Sequence, residues 1–575
     1  RTGLRLVSFS SKGVRIDLKE TIPVARDDMQ MVNHSSAIFG RYNFFSKMDA
    51  TLEGAASDQI GTQFHHLSYY IALACILLGA YFFKLQKNAK RSRVDAPYYK
   101  ASIWKWMFDA ETQIIESYNK FYGKVYQIKA TEGIQLVLPP AFVAELKSLP
   151  EETLSATAAM CEAMLSEYTH FHFANNGDLL AALVKTKLAQ NATHTTIVPR
   201  LKEEIDVLVA AEFPECRDWT TFKIQPFTLR AVTRMAGRIF VGPEINRCED
   251  WVETNINFVV HVFMSVAKLQ FMPQFLRPIG QYLVPDVRRT AADLEKAGNL
   301  LKPIIDQRMR DMENCPGYEA PADMISWLLE TLSDNDRADI AVHAQLQLML
   351  SMASGHGTNN IIVDCIFDLA EDQDLQDELR EEVEAAYATG APGSDWTKEK
   401  LLMLKKMDSL MKEVQRFRGN LIGFHRKVLK PISLSDGTYL PPGTKLLVPQ
   451  AGISRDGAFY QSPDTFDPMR FYKLRQRQPQ SSRDSSGSGD EDSARHHQFT
   501  AIVDTNVNFG GGKHACPGRF FACTEIKLLL AYFLRNYEFR LKPGEGRPKP
   551  FTMMMSKVPN PDGEVQFRRR ECADY

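Results

Sequence analysis

The chain has 575 residues, 44% hydrophobic and 24% charged, with 69 Lys and Arg against 70 Asp and Glu, for a formal net charge of −1. That composition lies near the globular average and excludes general disorder, while a mean hydropathy of −0.27 excludes a protein of many membrane spans. The balanced charge leaves no electrostatic footprint for nucleic acid, and nine scattered cysteines without a CxxC pair suggest neither a disulfide framework nor a zinc ribbon and fit a reducing compartment.

Residues 1–66 read as an N-terminal segment, partly without structural role, in which Met48 would open a short acidic tail. Leu67–Phe83, LSYYIALACILLGAYFF, carries no charge. At about 1.5 Å per residue it reaches roughly 25 Å, which predicts a transmembrane anchor over 67–84. Lys84, Lys87, Lys90, Arg91 and Arg93 follow it, whereas Asp49, Glu53 and Asp58 precede it. Positive charge behind the span places the rest of the chain in the cytosol and 1–66 in the lumen.

A basic, Pro-containing linker (85–97) leads into one continuous region, 98–575. Lys124–Ala130 and Gly133–Leu138, split by Thr131-Glu132, predict a β-hairpin. Helical periodicity dominates from Pro140 to Phe417, and one stretch, Ala338–Leu369, is apolar and long enough to cross a large core. Near Val428 the pattern changes to short strands with turn signals at Asp436-Gly437 and Pro442-Gly443. Residues 475–497, containing QSSRDSSGSGDEDS, read as a flexible polar insertion. The expected fold is mainly α with small β-sheets, a single large domain behind the anchor.

Asn508–Ala522 reads NFGGGKHACPGRFFA. A metal-ligating thiolate needs surroundings that favour negative charge. Pro517 suits a first helical turn, and RFFACTEIKLLLAYFL continues with helical periodicity. Cys516 is therefore expected at a helix amino end, where free N–H groups and the dipole favour a thiolate. Gly510, Gly511, Gly512 and Gly518 remove bulk, so that a flat macrocycle can approach the backbone. Phe509 can pack beside the sulfur, and Lys513 or His514 offers a donor to an acidic substituent. A zinc site lacks near partners, since Cys523 lies seven residues on. A P-loop would need other residues at Val507 and His514, and a dinucleotide-binding helix would hold Pro517 in its interior. A buried apolar cysteine is the plain alternative.

The stretch resembles the haem-thiolate loop of the cytochrome P-450 monooxygenases, fungal microsomal type, with FxxGxxxCxG matched by Phe509, Gly512, Cys516 and Gly518. The resemblance runs from about Pro97 to the C-terminus and includes Glu413-Val-Gln-Arg416, Phe424-His425-Arg426 and FDPMRF with Arg470. It implies haem b with Cys516 as axial ligand of the iron and Arg426 at a propionate. It also implies a buried structural network of Glu413, Arg416 and Arg470. Lys185 falls at the basic position of the family's propionate-binding helix, whose Trp position is Ala181 here. Ala353-Ser-Gly-His-Gly-Thr358 stands where the family has small residues, then an acid and a Thr. In the preferred register His356 takes the acid position and Thr358 supplies the catalytic hydroxyl; His356 as an ordinary core histidine stays open.

The resemblance further implies electrons from NADPH through a separate flavoprotein reductase, docked around Lys513, Arg519 and Lys527. The substrate is expected to be an apolar small molecule of secondary metabolism, drawn from membrane lipid, with Phe258–Leu276 as the candidate entrance. A single-pass position in the endoplasmic reticulum membrane follows. The altered ASGHGT sequence keeps open a haem-thiolate isomerase, dehydratase or peroxygenase that needs no reductase, and a non-catalytic haem-binding protein is a separate alternative.

Overall fold

The computed structural model describes residues 94–172, 177–189, 191–391, 394–476 and 495–571. The expected anchor over 67–84, residues 85–93 of the linker and most of the polar insertion lie outside them. Among the described residues no helix is long and apolar enough to cross a membrane.

Helices dominate, with small sheets beside them. Six of them position the site: α1 (Ile224–Phe240), α2 (Glu249–Gln270), α3 (Pro285–Asn314), α4 (Ile340–Glu371), α5 (Lys405–Arg418) and α6 (Arg519–Asn536). α3 opens on Pro285, where the missing N–H is one the helix would leave unpaired anyway. α4 is the long helix expected over Ala338–Leu369. Its start moves to Ile340 because Asp339 stays extended and its carboxylate accepts from the Ala341 N–H as an N-cap. α4 buries side chains around most of its circumference and packs against α1, α3, α5 and α6, as a helix apolar on nearly all sides must. α6 carries the other large apolar load, with Leu529, Ala531, Phe533 and Leu534 fully buried.

The largest sheet contains β1 (Tyr98–Tyr99), β2 (Tyr126–Ala130), β3 (Gly133–Val137), β4 (Leu154–Ser155), β5 (Gly423–Val428) and β6 (Lys445–Val448), in the order β1-β2-β3-β6-β5-β4. The expected hairpin is β2–β3, antiparallel, with Tyr126 opposite Val137 and Ala130 opposite Gly133. The expected turn at Asp436-Gly437 joins the paired strands Ile432–Ser433 and Tyr439–Leu440. Between β5 and β6 the register slips between Gly423 and Arg426, and Phe424 adopts φ +52°. Such an irregularity re-aims the side chains beyond it. Here it turns Arg426 toward the Cys516 loop, whose Gly511 carbonyl it reaches. The ends of the polar insertion meet: Arg475 Nη2 donates to the His497 carbonyl at 2.7 Å and also pairs with Asp408 of α5.

Candidate active site

One cavity of about 320 Å³ lies between α4 and the segment around Cys516. Ala353, Gly357 and Thr358 face it from α4; Phe509, Cys516 and Gly518 face it from the loop. The loop is closed by its own backbone: the Cys516 N–H donates to the Phe509 carbonyl at 2.7 Å, and the Ala515 N–H to the Gly512 carbonyl at 3.2 Å. Phe509 packs edge-on against Phe499, ring centroids 5.2 Å apart.

Cys516 stands at the amino end of α6: Gly518 is the cap and the helix begins at Arg519, so the Gly518 and Arg519 N–H groups reach the sulfur. Arg519 also reaches back, donating to the carbonyls of Cys516 at 2.8 Å and Thr500 at 3.1 Å. Burial pushes the Cys516 thiol up, while the Gly518 and Arg519 N–H groups and the Arg519 charge pull the other way. Burial is the larger of these effects; coordination to a metal ion would deprotonate the thiol.

The glycines divide by role. Gly512 has φ +62°, and a Cβ there would stand 1.9 Å from the Lys147 carbonyl oxygen. Its lack of a side chain thus serves a turn and a backbone contact, not room for a macrocycle. Gly518 does open on the cavity, since a Cβ there would meet only Val184, at 3.9 Å.

On the sheet side, Arg426 is 6% exposed and donates to the His425 and Gly511 carbonyls at 2.8 and 3.3 Å. No carboxylate among the described residues forms an ion pair with it. Burial lowers its pKa to about 10, opposed by Glu151. His514 Nε2 lies 2.8 Å from Glu151 Oε2. A buried guanidinium that forms no ion pair among the described residues, bonded to the loop that carries a cavity-facing cysteine, fits a group that brings acidic substituents and a metal to this place. These residues therefore fit the expected haem.

Glu413, Arg416 and Arg470 form a single buried cluster. Arg416 grips Glu413 with Nε and Nη2 at 2.8 and 2.7 Å, and Arg470 Nε lies 3.1 Å from Glu413 Oε2. The remaining guanidinium hydrogens bind backbone carbonyls of Ser454, Pro463 and Thr465 from Arg416, and of Gln461, Ser462 and Thr465 from Arg470. The cluster pins the segment 454–470.

Other expected residues lie elsewhere. His356 faces a separate small cavity with Thr233, Asn255 and Val259 of α1 and α2, where burial lowers its pKa. Thr358, 5% exposed, lines the main cavity without it. Lys185 is exposed beside Val184, which does line the cavity. Lys527 is no surface residue: it is 5% exposed, pairs with Asp408 and donates to the Leu401 carbonyl. With Arg519 tied to backbone carbonyls, Lys513 alone of the three expected docking residues is exposed. Sequence reasoning also missed the polar lining residues Asn360, Asp364, Gln415, Arg418 and Glu525. Glu525 had a signal, since it recurs at helical spacing with Gly518 and Phe521/Ala522, and Asn360 and Asp364 recur in the same way with Gly357.

A family model described as cytochrome P450 matches residues 104–567. The chain is similar to a cytochrome P450 monooxygenase (AN1598) of Emericella nidulans, 32% identical over 83% of this chain and 88% of that protein. It is 31% identical to the cytochrome P450 monooxygenase AtmP of Aspergillus flavus over 91% of this chain and 98% of that one. An ent-kaurene oxidase of Gibberella intermedia is 29% identical over 82% and 85%. Among solved structures, a retinoic acid-bound cyanobacterial CYP120A1 shares the fold, with a TM-score of 0.61 at 17% identity, covering 83% of this chain and 99% of that one.

Proposed function

The chain belongs to the cytochrome P450 family and is an oxidoreductase of its monooxygenase type, and from that premise we propose that it inserts one atom of dioxygen into an apolar small molecule of secondary metabolism. In this reading electrons come from NADPH through a separate flavoprotein reductase, and the span over 67–84 holds the enzyme on the endoplasmic reticulum membrane with the site in the cytosol. The observation that carries the reading is the Cys516 sulfur facing, across one cavity, a helix wall with Thr358 on it.

Cys516 would hold the haem through its sulfur, with Arg426 and His514 at the acidic edge. Bound there, the haem supplies a thiolate-ligated iron whose donated electron density favours O–O cleavage. The chain's own residues do the rest. Arg519 and the Phe509 carbonyl fix the Cys516 backbone on both sides, so the sulfur keeps its aim. Ala353 and Gly357 leave space on the opposite wall, and the Thr358 hydroxyl there holds and passes a proton. Phe240, Leu350 and Ile361 line the same cavity, exclude water and suit an apolar substrate. The fungal relatives and these walls support an apolar secondary metabolite. Exposed Phe263, Met264, Phe271, Phe275 and Leu276 support Phe258–Leu276 as the lipid-side entrance.

The test is the absorption spectrum of the reduced carbon monoxide complex. Native protein should show the strongly red-shifted thiolate Soret band, and Cys516→Ser should lose it. Product that forms with dioxygen only when NADPH and reductase are both present would complete the reading; product without any electron donor would defeat it.

A further inference from the structure

The cavity beside Cys516 has a neighbour. A second one, of about 580 Å³, lies at the surface between the end of α4 and the residues Phe466 and Pro468, and the exposed carboxylates Glu371, Asp372 and Asp374 rim it. Of the residues that line the two cavities, only Arg418 lines both. It is the last residue of α5, and its side chain is the partition between them at that point.

Charge holds the partition in place. Arg418 Nε donates to Asp368 Oδ2 at 3.1 Å, and its Nη2 pairs with the other oxygen. The guanidinium lies over the Phe466 ring, 4.8 Å from the centroid. Asp368 is 4% exposed and has a second cation, since Arg547 Nε donates to its Oδ1 at 2.9 Å. Arg547 also pairs with Asp364, on the wall of the main cavity. If Arg418 leaves, Asp368 therefore keeps Arg547, and no buried carboxylate is stranded without a cation, which is what makes breaking a buried pair costly. The departing guanidinium also has a second seat. Glu371 and Asp374 stand at the outer pocket and form no ion pair among the described residues.

We propose that Arg418 is a charged door between the active-site cavity and the surface, closed on Asp368 and open on Glu371 and Asp374, and that water is what passes it. A passage walled by Asp364, Asp368, Arg418 and Arg547 suits water and small polar molecules, because ions hold water and an apolar molecule gains nothing among them. The reaction proposed above, on which this inference rests, leaves one water for every oxygen atom inserted, and an apolar substrate displaces the water it finds in the cavity. The Phe-rich entrance gives that water no polar path; the door does.

Stopped-flow binding of imidazole to the ferric haem protein tests it, read from the Soret shift, with N-dodecylimidazole as the apolar ligand that enters from the lipid side. Arg418→Ala should speed imidazole association at least about 10-fold, because a minor open state is populated about 10% of the time at most, and should leave N-dodecylimidazole within about twofold of native. Glu371→Gln with Asp374→Asn, two surface changes, removes the outer seat and should slow imidazole by about two- to fivefold, what an exposed ion pair is worth. A loosened fold would not give these opposite signs. Imidazole association within about twofold of native in Arg418→Ala, equal acceleration of both ligands, or no slowing in the outer-seat variant would overturn the door. A native protein whose reduced carbon monoxide complex lacks the red-shifted band would instead defeat the haem-thiolate reading itself.

Discussion

Replacing Glu413 by glutamine isolates the energetics of the buried cluster. The side chain is 0% exposed and accepts from Arg416 at 2.7 and 2.8 Å, from Arg470 at 3.1 Å, and from the Asp467 N–H at 2.9 Å. Glutamine keeps the shape but removes the negative charge from between two guanidiniums that have no other carboxylate in the cluster. Breaking a buried pair by removing one partner costs about 3–5 kcal/mol, because the other charge is left uncompensated. Two cations depend on one anion here, so the upper part of that range applies, about 4–5 kcal/mol. An exposed pair would cost no more than about 1 kcal/mol. Urea unfolding followed by tryptophan fluorescence measures the loss, and haem retained through gel filtration reports whether segment 454–470 has come loose. Arg416→Lys should also destabilise, since lysine cannot reproduce the two-pronged grip on Glu413 and the carbonyl bonds together. A Glu413→Gln protein within about 1 kcal/mol of native would refute the claim that this cluster is a charge-balanced unit.

Arg426→Leu should leave the haem-free protein as stable as native or more so, because a buried unpaired cation is removed. It should also speed haem loss about 10- to 100-fold, the worth of a hydrogen bond to a charged group, measured by haem transfer to apomyoglobin; destabilisation of both forms would contradict it. Gly512→Ala, at φ +62° with a Cβ 1.9 Å from the Lys147 carbonyl, should cost more than the ~1–2 kcal/mol of a left-handed residue alone, whereas Gly518→Ala should leave haem-free stability within about 0.5 kcal/mol; thermal unfolding of the haem-free proteins compares them. Burial lowers the Lys412 pKa from 10.5 to about 7. The unfolded chain therefore binds more protons than the folded one between those values, and the cost of this lysine is full below pH 7 and fades as pH rises toward 10.5. Lys412→Met should gain most over native in acid and lose its advantage at high pH, where only the lost bonds to the His496 and Gln498 carbonyls remain; a stability difference independent of pH would exclude the assignment.

Local patterns carried the hairpin and the long helix, and for a physical reason. β2–β3 is an alternation closed by a two-residue turn, and α4 is announced by its own apolar length and capped by Asp339. The Glu413–Arg416 pair is likewise an i,i+3 contact on one helix, although Arg470 joins it from 57 residues away and was reached only through resemblance. What failed had remote causes. Lys527 looks like surface charge until Asp408 of α5 and the Leu401 carbonyl are placed around it. Gly512 looks like clearance for a ligand until the Lys147 carbonyl arrives against it. Glu525 shows its face by spacing, but that nothing among the described residues pairs with it depends on every neighbouring helix.

The misplacement of His356 has a different origin, helical phase. At 3.6 residues per turn, positions two apart leave a helix about 200° apart, while adjacent positions differ by about 100°. An acid next to Thr358 could share its cavity; His356, two positions before it, could not, and it occupies the small cavity on the far side. The residue adjacent to Thr358 is Gly357, which lines the main cavity with no atom within 4 Å of where its Cβ would stand. If helical phase is what keeps His356 from Thr358, His356→Ala should leave product formed per NADPH within about twofold of native, while Thr358→Ala should lower it about 10-fold or more, the scale of a positioned proton carrier. Product per NADPH that falls in His356→Ala as far as in Thr358→Ala would show that the histidine reaches the main cavity after all.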